Sequence, residues 1–181
     1  MTGGPPPLAP VPLTLVLGGA RSGKSRYAEA LVEGRSSRCT YIATAEPGDE
    51  EMARRIAEHQ ARRGLRWRTI EAPLDLVGAL ERSSSSDGAV LVDCLTLWLS
   101  NLMGAERDIA AETRRLVEVL PHLDGAVVMV SNEVGLGVVP ANALARAFVD
   151  HAGRLHQAVA GVAQSVVFLS AGLPLTLKSP R

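Results

Sequence analysis

Apolar residues in this chain fall into short unbroken runs, and the stretches between them carry apolar positions at three- and four-residue spacing. That alternation predicts an α/β protein with a mostly parallel sheet and helices on both faces. Leu13–Leu17 reads as a buried strand and Cys39–Thr44 as a second, and Ala89–Asp93 and Ala126–Val130 are continuous apolar runs of strand length, the kind found in parallel strands covered on both faces. A shorter strand is predicted at Trp67–Glu71. Helical spacing predicts Ser25–Glu33, with Tyr27, Ala30 and Leu31 inward, and Leu74–Arg82, followed by Ser83–Ser86 as a solvated loop. Between them, the turn Glu46-Pro47-Gly48 leads to a helix capped by Asp49, with Glu50 and Glu51 in its first turn, running to Arg63 and stopped by Gly64. Pro140 is expected to open a long helix to Ala163 whose inner stripe is Leu144, Phe148, Leu155, Val159 and Val162. Val166–Leu169 and Leu173–Leu177 flank Ala171-Gly172, which predicts a hairpin and an antiparallel edge strand. Residues 1–12 form a proline- and glycine-rich lead-in, read as a flexible tail, and 13–181 read as a single domain.

The first predicted strand runs into Gly18-Gly19-Ala20-Arg21-Ser22-Gly23-Lys24-Ser25, which fits the phosphate-binding pattern G-x-x-x-x-G-K-[ST] and is followed by a predicted helix. Strand, glycine loop and helix in that order turn backbone N–H groups and a helix N-terminus toward phosphate oxygens. Lys24 supplies a point charge for the outer phosphates, and Ser25 offers a hydroxyl to Mg²⁺. Lysine is a chemical choice here: of nineteen basic residues only Lys24 and Lys178 are lysine.

Composition narrows the classes further. Formal net charge is zero and aromatic content is 3%, so neither a basic footprint nor a stacking platform for nucleic acid is present. No apolar run reaches the ~20 residues that span a bilayer, and the N-terminus lacks a basic and an apolar signal region, so the expected compartment is the cytoplasm. Cys39 and Cys94 lie among apolar residues and are expected to be reduced and structural.

Ligands of open α/β sheets gather outside the carboxyl ends of the strands. Asp93 ends an apolar run, which places it at that edge, next to the phosphate loop, as the second Mg²⁺-organising carboxylate. The same edge collects Thr44, Ser131, Asn132 and Glu133, each directly after a predicted strand. The loop Asn132–Gly137 suits either ligand approach or an ordinary turn. Met52, Ile56, His59 and Arg63 share one helical face, so His59 turns inward, a position that suits packing as well as catalysis. His122, His151 and His156 have weaker claims, with no carboxylate or cysteine at metal-ligand spacing on the long helix.

In combination, these residues resemble the bifunctional adenosylcobinamide kinase and adenosylcobinamide-phosphate guanylyltransferase family of cobalamin biosynthesis. The resemblance runs from Leu15 to Lys178. It is carried by GGARSGKSRYAE from Gly18, YIATA from Tyr41, EMARRIAEH from Glu51, WRTIEAPLDL from Trp67, VDCLTLWLSNL from Val92, SNEVGLGVVP from Ser131 and LARAFVDHAGRLHQ from Leu144. Only the loop is generic, and the joint order is specific. The proline-rich extension and a short turn after Ala45 depart from the family pattern without touching a catalytic position.

The resemblance implies two reactions at one nucleotide site: phosphorylation of the aminopropanol hydroxyl of adenosylcobinamide by GTP or ATP, then transfer of GMP from GTP to adenosylcobinamide phosphate. The second passes through a guanylyl-histidine, which carries over to His59. Lys24 is implied as its catalytic partner. The resemblance also implies that Thr44, Ala45, Glu46, Gln60, Ala61, Arg62, Arg63, Glu71 and Asp93 join residues 18–25 in lining the nucleotide site, with Ser25 and Asp93 on Mg²⁺. It further implies a RecA-like P-loop sheet and a homotrimer. Two other readings fit the residues alone. Another P-loop kinase would leave His59 unlabelled, and a nucleotide-gated module would hydrolyse slowly, although the chain contains no Asn-Lys-x-Asp guanine motif.

Overall fold

Every residue of Leu13–Gly18 is buried, and this strand, β1, lies within a seven-stranded sheet. The computed structural model describes residues 13–45 and 66–180. After β1 come α1 (Lys24–Glu33), β2 (Arg38–Ala43), β3 (Trp67–Glu71), α2 (Leu76–Ser83), β4 (Gly88–Asp93), α3 (Leu95–Gly104), α4 (Ile109–Val119), β5 (Ala126–Asn132), α5 (Ala143–Val162), β6 (Ser165–Ser170) and β7 (Leu173–Lys178). The strand order is β3-β2-β4-β5-β1-β6-β7, parallel throughout except for the predicted antiparallel β6–β7 hairpin. The expected turn 46–48, the helix from Asp49 to Arg63 and the tail before Leu13 lie outside the described residues.

The unbroken apolar strands are explained by burial on both faces. On one face Leu15, Val92 and Met129 pack with Trp98, Leu99, Leu116, Leu155 and Val159 of the helices. On the other, Val16, Leu91 and Val130 pack with Ala28 and Val32 of α1. Cys39, in the second layer, and Cys94, beside Thr96, are free and buried, and burial raises both thiol pKa values, consistent with a structural role.

Several boundaries move, for local reasons. α1 turns Lys24, Ala28 and Val32 to the sheet at four-residue spacing; Tyr27 and Leu31 pack half-buried against that layer as expected, whereas Ala30 is exposed, contrary to expectation. α2 starts at Leu76 rather than Leu74 because the Asp75 carboxylate accepts from Gly78 N at 3.1 Å, and Ser83 belongs to its last turn. Pro140 does not open α5; Asn142 caps it by accepting from Leu144 N and Ala145 N. Leu144 is consequently 68% exposed rather than part of the inner stripe. β5 extends through Ser131 and Asn132, which therefore sit in the strand and not after it.

Candidate nucleotide site

Tight packing fixes the path of the glycine loop. A Cβ on Gly18 would fall 2.5 Å from Ser22 Oγ and 2.7 Å from Leu169 O, so the first glycine leaves no room for a side chain. Gly23 has φ +94°, and a Cβ there would lie 3.2 Å from Gly172 Cα. The turn between β6 and β7 braces the loop from outside, with Gly172 N donating to Ser22 O at 2.9 Å.

Within this frame the loop fits a phosphate. Gly23 is the N-cap of α1 and brings no side-chain cap, and the first turn contains no acidic residue, so the positive end of the helix is open to an anion. Lys24 is buried, and its Nζ donates to Gly19 O at 3.0 Å, holding the ammonium against the loop. Ser22 Oγ is buried without a hydrogen-bond partner. Ser25 follows on the first turn, half-buried.

Strand register aligns the opposite wall. Glu71, Ala43, Asp93, Val130 and Val16 form one row across the sheet. Asp93 reaches the carboxyl edge as expected, but β5 stands between its strand and β1, so it faces the loop across one intervening strand rather than beside it. Tyr41 OH donates to Asp93 Oδ2 at 2.7 Å, and the Tyr41 ring meets Trp67 edge-on at 6.4 Å. Thr44 lies just past β2, fully buried. Its Oγ1 donates to Cys94 O and accepts from Cys94 N, both at 2.8 Å, so the hydroxyl ties the ends of β2 and β4 together. Asn101 Nδ2 donates to Thr44 O at 2.7 Å from α3. Ala45 is half-buried and Glu71 is exposed on the same edge. Glu46, His59, Gln60, Ala61, Arg62 and Arg63 lie outside the described residues.

The end of β5 holds a second polar layer. Asn132 Nδ2 donates to Thr96 Oγ1 at 3.1 Å, and Glu133 N donates to Gly18 O at 3.0 Å, which seats Glu133 beside the first glycine of the loop. Ser131 Oγ lies 2.7 Å from His156 Nε2, and His156 Nδ1 lies 3.8 Å from Glu133 Oε2. Burial lowers the His156 pKa against an opposing pull from Glu133. Sequence reasoning ranked His156 low because it sought metal spacing. The usable signal was that Ala152, Leu155, His156 and Val159 form the buried stripe of α5.

Comparison with known proteins identifies a family. The sequence pattern of the family described as cobinamide kinase / cobinamide phosphate guanyltransferase matches residues 14–177. A relative in Pseudomonas aeruginosa, the bifunctional adenosylcobalamin biosynthesis protein CobP, is 52% identical over 91% of this chain and 96% of its own length. The Escherichia coli bifunctional adenosylcobalamin biosynthesis protein CobU is 39% identical over 92% of this chain and 99% of its own. Among solved structures, the RadB recombinase aligns at TM-score 0.48 and 20% identity, covering 88% of this chain and 74% of that one. With its phosphate loop, its parallel sheet and these relatives, the chain belongs to the cobinamide kinase / cobinamide phosphate guanyltransferase family.

Proposed function

We propose that this protein phosphorylates adenosylcobinamide on its aminopropanol hydroxyl with GTP or ATP, then transfers GMP from GTP to adenosylcobinamide phosphate, giving adenosylcobinamide-GDP. The observation that carries the reading is the uncapped α1 N-terminus with Lys24 buried at its base, a cradle for a triphosphate inside a chain of this family. Residues 18–25 hold the phosphates, and Thr44, Ala45, Glu46, Gln60, Ala61, Arg62, Arg63, Glu71 and Asp93 complete the nucleotide site. Ser25 and Asp93 are suited to hold Mg²⁺, an oxygen-seeking cation that offsets phosphate charge when bound.

The two transfers use different phosphorus atoms. In the first, the acceptor hydroxyl takes the γ-phosphoryl group and a nucleoside diphosphate leaves. In the second, a His59 ring nitrogen attacks the α-phosphorus of GTP and pyrophosphate leaves. A phosphate oxygen of the corrinoid then attacks the same phosphorus and breaks the P–N bond. Neutral imidazole is a competent nucleophile near pH 7.

The homotrimer implied by the family is supported by β7, an edge strand with Leu173, Leu175 and Leu177 exposed at 71%, 60% and 57%. A row of leucines on a free sheet edge favours a covering partner. No helix among the described residues is long and apolar enough to cross a membrane, and the proposed compartment is the cytoplasm. Incubation with GTP and Mg²⁺ followed by peptide mass spectrometry tests the reading: one GMP per chain on the His59 peptide is expected, and an unlabelled chain overturns the covalent mechanism.

A further inference from the structure

β5 lies between the strand that delivers Lys24 and Ser25 and the strand that delivers Asp93. The carboxyl end of β5 therefore opens between the phosphate loop and Asp93. Two residues there share one face by strand alternation, Ser131 and Glu133, and α5 lays His156 against both. Ser131 and His156 are almost wholly buried, at 0% and 7% exposure, whereas the Glu133 side chain keeps 22%. The layer is thus sealed behind and open only at its carboxylate.

Hydrogen-bonding capacity orients the layer. A carboxylate only accepts, so an imidazole with its proton on Nδ1 turns that N–H toward Glu133, at 3.8 Å too far for a hydrogen bond, and leaves Nε2 to accept from the Ser131 hydroxyl. Burial favours this neutral, single-proton imidazole. Glu133 Oε1 is held separately by Gly135 N at 2.6 Å. The carboxylate is thereby held at Oε1, on a backbone pinned to Gly18 O, with Oε2 facing the imidazole at 3.8 Å.

We propose that Glu133 accepts the proton of the acceptor hydroxyl during phosphoryl transfer, with His156 and Ser131 as positioning residues that fix its direction. The role rests on the kinase activity proposed above. The acceptor oxygen bonds to the γ-phosphorus, the bond from that phosphorus to the bridging oxygen breaks, the nucleoside diphosphate leaves, and the hydroxyl proton passes to Glu133. GMP transfer needs no such base, because its acceptor is a phosphate already ionised near neutral pH and its nucleophile is a neutral imidazole. The layer should therefore serve one of the two reactions.

The test uses the full-length chain with two readouts: γ-phosphoryl transfer to adenosylcobinamide, and GMP transfer to supplied adenosylcobinamide phosphate. Glu133→Gln, nearly isosteric, should lower kinase kcat about 100-fold or more, with both KM values within about threefold. GMP transfer should stay within about threefold of the unmutated chain. His156→Leu should lower kinase kcat about tenfold, and His156→Asn, which offers an N–H near the Nδ1 position, should recover most of it. Kinase turnover of Glu133→Gln within about threefold of the unmutated chain would overturn the role, as would equal loss of both activities, which marks a structural part. Should the unmutated chain transfer GMP but phosphorylate no adenosylcobinamide, the kinase reading itself falls, and the Glu133 role falls with it.

Discussion

Tyr41 and Asp93 meet at 2.7 Å across the β2–β4 pair, with the phenol donating to the carboxylate proposed to hold Mg²⁺. One residue beyond the Tyr41-to-Ala43 stretch, the backbone is clamped again, where Thr44 Oγ1 bonds both N and O of Cys94. The Asp93 carboxylate is thus aimed by a side chain of β2 and its backbone is held by the residue that follows β2.

Thr44→Val keeps the shape but leaves the buried N–H and C=O of Cys94 without this partner. The unfolding free energy should fall by about 2 kcal/mol, read from urea denaturation. Because the clamp sets the Asp93 position, both transfer activities should fall together. A variant of unchanged stability would show that the Cys94 groups find other partners.

Lys24→Ala should abolish both transfers and weaken triphosphate binding, since each reaction needs its phosphates held and their charge offset. The variant should remain folded, as among the described residues the lysine bonds to the loop's own Gly19 O. Nucleotide titration and the two turnover assays check this, and near-normal turnover would remove the loop from the chemistry.

The sheet was legible because continuous apolar runs with glycine and serine punctuation leave few other solutions, and Trp67–Glu71 and the terminal hairpin fell where the pattern placed them. Helix starts were less legible. At α2 and α5 a capping side chain one or two residues inside the expected boundary, Asp75 or Asn142, decided the first turn. The site divides in the same way. Lys24, Ser25 and Asp93 were found because a motif and the strand-edge rule locate them. Ser131 and Glu133 were picked out by the same edge rule, but their layer with His156 was not, because 25 residues separate Ser131 from His156 and only tertiary packing joins them.

His156 should make stability pH-dependent. Burial lowers its folded-state pKa below the ordinary value of 6.5, so between the two values the unfolded chain binds a proton that the folded chain refuses. Its contribution is complete above pH ~6.5 and is lost as pH falls below it. The difference in denaturation midpoint between the unmutated chain and His156→Asn should therefore shrink on acidification from pH 7 to pH 5. A constant difference would mean that His156 titrates normally.

His59→Ala should lose GMP transfer while keeping measurable kinase activity, because γ-phosphoryl transfer passes through no covalent enzyme intermediate. In the unmutated chain the GMP label should be released by acid, since ring protonation makes imidazole a good neutral leaving group, and should withstand alkali. Label stable to acid, or mapped to another peptide, would exclude the histidine linkage and leave the kinase assignment standing.

The phosphate loop is also braced by a residue far from it in sequence. Gly172 sits at φ +80° in the β6–β7 turn and donates its N–H to Ser22 O at 2.9 Å, across the chain from the loop it braces. Gly172→Ala meets no neighbouring atom within 4 Å, so its cost is conformational, about 1 kcal/mol for an L-residue held at positive φ. If the turn relaxes to relieve that strain, the bond to Ser22 lengthens and the loop loses its outer support. The expected result is a KM for triphosphate raised severalfold in both reactions with kcat less affected, measured by steady-state kinetics. Unchanged KM values together with the predicted loss of stability would show that the loop holds its shape without the hairpin.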